Sequence, residues 1–288
     1  MTYALTIVVA EELALANVSA VMEALSPAKY PQVEFLLCSK HDFSNFENYA
    51  SQNNVRYIAP RDGDRIPLLW RDGILAAGAE RVALTTAHCV PSETWVKDLL
   101  KIPLSGSETA VGGSIENRPN DNAIGRAIYL LRYVRYTPVH RSGETDDIAA
   151  DNAIYRRSDI LKNRDLLEIG FWEPSFHERY IEQGLSLRFD NSLRVVHHNC
   201  YSCAGFMAQR FSHGVEFGQA RARQMSWLKR LAMFLAFPLI PIVFGKKILN
   251  QAKTDPQFRF GLDIQWFYFL LFLFAWSLGE ALGYVKRD

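Results

Sequence analysis

The stretch LTTAHCVPSETW, from Leu84 to Trp95, offers several side chains that could take part in chemistry. An apolar run precedes it and a helix-like run follows it, and junctions of this kind often carry ligand-binding groups. The loop supplies the hydroxyls of Thr85 and Thr86 and the imidazole of His88, but no carboxylate. Because hard cations such as Mg²⁺ prefer carboxylate oxygens, this loop alone would be a poor Mg²⁺ site.

A second candidate group is Glu173, which begins the helix-like run EPSFHERYIEQ. Pro174 suits the first turn of a helix, so Glu173 is predicted to lie at a helix N-terminus. A carboxylate there could act as a general base, or it could simply complement the helix dipole. Glu178 is the alternative acid, and we expect it to face solvent from within the helix.

The elements that must position these groups alternate along the chain. Short apolar runs rich in β-branched residues predict strands, and apolar spacings of three and four predict helices. Alternation of the two indicates an α/β fold with a mostly parallel central sheet. The predicted strands are 4–10, 33–38, 55–60, 81–86 and 110–116, and the predicted helices among them include 11–25 and 66–78.

In such sheets, ligands bind beyond the carboxyl ends of the strands. That edge comprises Ala10 and Glu11, Cys38 and Ser39, residues 60–64, and the loop of Thr85 to Cys89. No G-x-G-x-x-G follows the first strand, and no P-loop or G-x-S-x-G motif is present, which argues against the corresponding dinucleotide, nucleotide and hydrolase sites.

Composition limits the classes of function. The chain has 288 residues and a net charge of +1, so a general nucleic-acid binder is not expected. Its four cysteines do not form a disulfide scaffold and suggest a reducing compartment. The composition becomes strongly apolar near residue 225, and we therefore predict one domain over 1–225 and a membrane-associated helical hairpin over 226–288.

The tail contains two apolar segments, 231–244 and 264–283. The second is long enough to span a bilayer, whereas the first is shorter and interrupted by Pro238 and Pro241. Because basic residues flank both segments, the favoured hypothesis is a monotopic hairpin on the anionic cytoplasmic surface. The alternatives are a hairpin that crosses twice and a pair of soluble core helices.

The order of these pieces resembles the inverting family-two glycosyltransferases of GT-A fold, over roughly residues 3–215. In LLWRDGILAAGAERVALTTAHCVPSETWVKDLL, the positions that fit the family's pattern are Gly73, Ile74, Ala77, Pro91, Trp95 and Leu99. The stretch DNAIYRRSDIL, which contains Asn152, resembles the segment before the family's catalytic acid. Counting back from Gly184 puts Glu173 in the place of that acid and Trp172 in the place of the acid before it.

The resemblance implies a nucleotide-sugar donor and places Thr86-Ala87-His88 where the family has its metal-binding D-x-D. Three alternatives remain open: an enzyme without a tightly held metal, a weak Mn²⁺ or Mg²⁺ site using His88 and His198, and an inactive site. The implied donor-binding residues are Ala10, Glu11, Cys38, Ser39, Thr86, Ala87, His88 and Asn152, and the implied base is Glu173.

The resulting hypothesis is a glycosyltransferase of the inner, cytoplasmic membrane, with its catalytic domain in the cytoplasm. It would move a hexose to a lipid-linked or glycan acceptor. The alternative is a degenerate GT-A-fold protein that binds glycan or acts as a scaffold in envelope polysaccharide assembly.

Overall fold

The computed structural model describes residues 3–12, 16–41, 52–63, 65–222, 225–253, 255, 258 and 264–286. Residues 13–15 of the first predicted helix and Asp64 of the predicted binding edge lie outside the described residues. The described part of the chain forms a nine-stranded sheet with helices.

Four parallel strands build one half of the sheet, in the order β3-β2-β1-β4. Every residue of β1 and β2 is buried. Such complete burial suits the continuous Val, Ile and Leu runs of these strands, because helices cover both faces of a parallel sheet. The bounds are β1 Leu5–Glu11, β2 Val33–Ser39, β3 Val55–Ile58 and β4 Arg81–Thr86.

The other half of the sheet is largely antiparallel and continues the order as β4-β8-β6-β9-β5, with β7 paired to β9. The α/β fold class is confirmed, but the sheet is mixed, since its parallel part ends at β4. The bounds are β5 Cys89–Pro91, β6 Glu108–Asn117, β7 Gly143–Thr145, β8 Asn152–Arg156 and β9 Ser186–His197.

The helices near this sheet are mostly short. The second of them packs closely on β1 and β2 at Gly73, where a Cβ would lie 2.3 Å from Cγ1 of Val8. The bounds are α1 Ala16–Leu25, α2 Ile66–Ala76, α3 Trp95–Lys101, α5 Arg157–Lys162, α6 Arg164–Glu168 and α7 Glu173–Glu182.

The chain divides into two compact units. The first comprises Met1–Glu116 and Tyr136–His198, and the second comprises Asn117–Arg135 and Asn199–Asp288. The second unit is helical, and its helix α8 precedes residue 225; the domain boundary at 225 itself stays a prediction. The helices of the second unit are α4 Ala123–Tyr133, α8 Cys203–Ala222, α9 Trp227–Leu235, α10 Ile240–Ala252 and α11 Gln265–Val285.

Within the second unit, α8 and α11 approach so closely that their backbones touch at two G-x-x-x-G motifs. A Cβ on Gly214 or Gly218 of α8 would lie 2.2 Å from a carbonyl oxygen of α11. A Cβ on Gly279 or Gly283 of α11 would lie 2.1 or 2.3 Å from a carbonyl oxygen of α8. Glycine is therefore required at all four positions to keep this packing.

Among the described residues, α11 is the one helix that is by itself long and apolar enough to cross a membrane. The segments Trp227–Leu235 and Phe237–Ala252 are bent by 48° relative to each other. They are long and apolar enough to cross a membrane only if the two are taken together. Just over half of the apolar stretch of α11 is buried inside the chain, as in a core helix.

Candidate functional site

The carboxyl ends of three parallel strands bring several predicted donor-binding residues side by side. Ala10 at the end of β1 lies opposite Cys38 of β2 and Thr86 of β4, and Glu11 lies opposite Ser39. The Ser39 hydroxyl donates a hydrogen bond to Oε2 of Glu11 at 3.0 Å. The strand ends therefore form the predicted edge, and the role of this edge in donor binding stays a prediction.

At Cys38, only the backbone is available to this edge, because the side chain is completely buried. Burial and the neighbouring carboxylate of Asp72 raise the pKa of the Cys38 thiol, which is therefore neutral at physiological pH. A Cβ on Gly73 would lie 2.9 Å from the Cys38 sulfur, so this thiol packs beneath α2.

Asn152, also predicted to bind the donor, has a fully buried side chain that holds the fold together. Its Oδ1 accepts a hydrogen bond from Nε1 of Trp95 at 2.7 Å. Its Nδ2 donates to the carbonyl oxygens of Ser114 and Leu193 at 2.9 and 3.1 Å. These bonds connect the Asn152 side chain to Trp95, Ser114 and Leu193, and its predicted donor-binding role stays a prediction.

A carboxylate missing from the loop after β4 is supplied by Asp151, just before β8. The Thr86 hydroxyl donates to Oδ1 of Asp151 at 3.0 Å, and Nε2 of His88 lies 3.7 Å from the same oxygen. Asp151 and His88 are both almost fully buried. The sequence did not single out Asp151, although it directly precedes Asn152 in a stretch that resembles the family.

The adjacent histidines at the end of β9 have different environments. The His197 ring is fully buried and lies edge-on to the His88 ring, with 5.8 Å between centroids. His198 is partly exposed, and its backbone N–H donates to the carbonyl oxygen of His88 at 2.7 Å. The inward-facing imidazole is therefore that of His197, and the predicted ligand role of His198 stays a prediction.

The described residues do not supply a complete metal site: no group of three or more His, Cys, Asp or Glu side chains is arranged to hold an ion. Asp151 and His88 are two suitable donors at one place. Two donors alone leave the coordination of a divalent cation incomplete.

Glu173, the predicted base, is the first residue of α7, after Trp172 and before Pro174. The residue as a whole is partly exposed, but its carboxyl group is buried and lies near backbone N–H donors and two other carboxylates. Burial, followed by the negative charges of Asp151 and Asp147, raises the pKa of Glu173 from 4.5 to about 8. The charge on Asp151 thus links the predicted base to the Thr86–His88 loop.

A partly buried chain of hydrogen bonds lies one helical turn beyond Glu173. Nδ1 of His177 is 3.0 Å from Oδ1 of Asp147, and Nε2 of His177 is 3.1 Å from the Tyr155 hydroxyl. The Tyr136 hydroxyl donates to Oδ2 of Asp147 at 2.6 Å. Residues four apart share a helix face, so His177 lies on the side of α7 that carries Glu173. These contacts fix the position of the Asp147 carboxylate, whose negative charge contributes to the raised pKa of Glu173.

Comparison with known proteins supports this architecture. No family profile and no curated protein matches the chain by sequence. A mannosyltransferase from Pyrobaculum calidifontis, solved with GDP-Man and Mn²⁺, is similar in structure with a TM-score of 0.51 and 14% identity, covering 78% of this chain and 66% of that one. GalNAc-T7, solved with UDP, GalNAc and Mn²⁺, has a TM-score of 0.50 and 12% identity, covering 67% of this chain and 43% of that one.

These likenesses establish a glycosyltransferase fold of the GT-A type. The chain spans just under two thirds of the mannosyltransferase and less than half of GalNAc-T7. At such low identity, the fold is what the likeness shows, and activity must be argued from the residues of this chain.

Proposed function

We propose that the chain is an inverting glycosyltransferase that uses a nucleoside-diphosphate sugar, with Glu173 as its general base. The observation that carries the proposal is the environment of Glu173. Its carboxyl group has a pKa raised to about 8 by burial and by Asp151, which itself accepts a hydrogen bond from Thr86 at the predicted donor edge. Carboxyl groups with such a pKa concentrate at functional sites.

The proposed reaction is a single displacement at the anomeric carbon of the donor sugar. The acceptor hydroxyl oxygen forms a bond to that carbon as the bond to the diphosphate oxygen breaks. The acceptor proton passes to the Glu173 carboxylate, and the nucleoside diphosphate leaves with the bonding electron pair. A base on the face opposite the leaving group is what inversion requires.

The raised pKa predicts how activity depends on pH. A base must be ionised before it can take a proton, so the active form of Glu173 accumulates as pH rises through about 8. We expect kcat/KM to fall on the acid side of this value, provided that the donor and the acceptor keep their own charge states.

Donor binding is assigned to the edge formed by Glu11, Ser39 and Thr86, as the sequence resemblance implies. The two solved structures named above carry GDP-Man, or UDP with GalNAc, each with Mn²⁺. The proposal includes a weakly held divalent cation, for which Asp151 and His88 would supply two ligands of a set that the described residues do not complete. Such a cation would neutralise charge on the diphosphate when bound.

The proposed acceptor is lipid-linked or a growing glycan at the cytoplasmic leaflet, and the proposed location is the cytoplasmic membrane. The apolar tail supports this assignment, because an enzyme held at a membrane meets a lipid-linked acceptor at high effective concentration.

A second candidate function is a catalytically degenerate GT-A-fold protein that binds glycan or acts as a scaffold. It is favoured by the absence of carboxylates at Thr86 and Ala87 and by Trp172 in the place of an acid. A glycan-binding scaffold has no need to retain nucleotide binding, whereas the proposed enzyme requires it.

Nucleotide binding therefore tests the proposal. We expect at least one nucleotide to raise the unfolding temperature, because a ligand that binds the native state stabilises it. The nucleotides to test are UDP, GDP and CDP at millimolar concentration, with and without Mn²⁺. The rise should shrink in Glu11→Gln, at the predicted edge, and persist in the control Glu12→Gln. No rise with any nucleotide would favour the scaffold.

A further inference from the structure

Helix α11, the longest apolar helix of the second unit, is held along its length by a polar helix. The four glycines of the α8–α11 contact leave no space for lipid between the two backbones. Charged or ionisable side chains of α8 include Arg210, His213, Glu216 and Arg221. Because such side chains are costly inside hydrocarbon, α8 cannot lie across a bilayer, and α11 is bound to α8.

An ion pair between a buried glutamate and an exposed arginine strengthens this connection. Glu280 of α11 is almost fully buried, and its Oε1 accepts hydrogen bonds from Nη1 of Arg221 at 3.1 Å and from the Tyr284 hydroxyl at 2.6 Å. Separating α11 from α8 would leave Glu280 without its cationic partner, so the helix pair behaves as one structural element.

In contrast, α9 and α10 present their apolar side chains outward. No residue of α9 is buried, and exposed fractions reach 69% at Trp227 and 67% at Leu235. The outer row of α11 adds further exposed apolar groups. The exposed apolar surface comprises Trp227, Leu228, Leu231, Leu235, Leu239, Ile242, Val243, Phe244, Phe267, Leu270 and Phe274. A surface of this extent indicates an interaction partner.

The charges around this surface indicate which partner it fits. No acidic residue occurs between Glu216 and Asp255, and the basic residues within α9 and α10 are Lys229, Arg230, Lys246 and Lys247. Apolar side chains accompanied only by positive charge are complementary to the headgroup and acyl boundary of an anionic bilayer.

We propose that α9, α10 and the outer row of α11 bind the surface of an anionic bilayer, and that α11 remains packed on α8 without crossing the membrane. The inference deepens the membrane association in the proposed function and does not depend on sugar transfer. In this arrangement the membrane-binding pair is α9 and α10, and not a hairpin of the two apolar tail segments. Helix α11 lies beside this pair and stays packed on α8.

Vesicle flotation tests the surface directly with the full-length chain. Binding to vesicles of phosphatidylcholine mixed with phosphatidylglycerol should exceed binding to pure phosphatidylcholine, and salt should reduce the difference without abolishing binding. Equal binding to both kinds of vesicle would contradict the proposed preference for an anionic bilayer. Absence of binding to the mixed vesicles would overturn the proposal.

The double variant Leu235→Glu/Val243→Glu should weaken binding to the mixed vesicles at least about tenfold, because both side chains are exposed on the proposed surface. The matched control Ile169→Glu/Ile181→Glu changes two exposed apolar residues of the first unit and should bind like wild type. An equal loss in both, or a loss in neither, would contradict the assignment. A concentration-dependent dimer that only the first variant dissociates, without vesicle binding, would identify a second copy as the partner instead.

Topology distinguishes an anchored α11 from a crossing one. Cysteines placed singly at Lys253 and Lys286 flank this helix, and Cys200→Ser/Cys203→Ser provides the background. In intact cells, an impermeant thiol reagent should label neither position, whereas both should be labelled after lysis. Labelling of one position alone from outside would show that α11 crosses and would overturn the proposal, while the donor-binding test would be unaffected.

Discussion

Two glutamates, one in each unit of the chain, show how the same side chain can be held for different purposes. Glu280 lies within α11 and accepts hydrogen bonds from Arg221 and Tyr284. Glu173 lies at the start of α7, and the charges that act on it come from Asp151 and Asp147. A buried carboxylate with cationic and hydroxyl partners is held as a structural group, whereas one that faces other carboxylates has a raised affinity for protons.

The first prediction breaks the packing around Glu280. Gly218→Ala should destabilise the fold by about 3 kcal/mol, because the new Cβ would lie 2.2 Å from the carbonyl oxygen of Glu280 and the helices would have to separate. Chemical denaturation measures the change. The control is Gly245→Ala in α10, where the Cβ would meet only a Phe269 ring atom at 4.0 Å, and a loss of comparable size there would refute the close-packing account.

The second prediction removes the cationic partner of Glu280 and replaces it with an uncharged side chain of similar length. Arg221→Met should cost about 2 kcal/mol of unfolding free energy, since it leaves Glu280 buried with Tyr284 as its remaining donor described above. Arg230→Met, which removes a hydrogen bond to the Met225 carbonyl, is the control and should cost less. Equal costs would mean that Glu280 does not depend on its ion pair.

The third prediction concerns Glu173, where a substitution should raise the free energy of unfolding and not lower it. Its folded-state pKa of about 8 lies above the usual 4.5, so ionisation costs stability that is intact below pH 4.5 and lost as pH rises through 8. Glu173→Gln should therefore stabilise the fold by about 1–2 kcal/mol at pH 8.5, reduced from the full shift because the residue is partly exposed. At pH 4, the gain should vanish; a gain independent of pH would point to packing instead.

The smallest expected effect concerns Asp147, which His177 and Tyr136 hold beside Glu173. In an Asp147→Asn background, the pH at which the gain from Glu173→Gln levels off should fall by about half a unit, because one negative charge that raises the folded-state pKa of Glu173 is gone. Thermal unfolding of single and double variants across pH measures this coupling. The control Glu182→Gln removes an exposed carboxylate of the same helix, and an equal shift there would show a general charge effect.

The parallel strands and the edge they form could be predicted from the sequence, because buried apolar runs and alternating helices carry a local signal. The predicted strand 81–86 coincides with β4, and residues 33–38 fall within β2. In the antiparallel half, the predicted strand 110–116 falls within β6, but its antiparallel pairing was not predicted, since a run of apolar residues does not specify the direction in which a strand pairs.

Two other features depend on partners that are distant in sequence. Asp151 acquires its significance from Thr86 and His88, which lie more than sixty residues earlier. The motifs beginning at Gly214 and Gly279 are ordinary glycine pairs until α8 and α11 meet, and α8 is too polar for its motif to suggest a close helix contact. In both cases the chemistry was visible in the sequence, and the contact was not.

Turnover of Glu173→Gln tests the central claim most directly. The assay would measure nucleoside diphosphate release in the presence of membrane extract, with the sugar donor of whichever nucleotide stabilises the fold most. We expect kcat to fall about a hundredfold or more while nucleotide binding is retained, and Glu178→Gln, at an exposed position of the same helix, to remain close to wild type. Near-wild-type turnover in Glu173→Gln would contradict the assignment of Glu173 as the base.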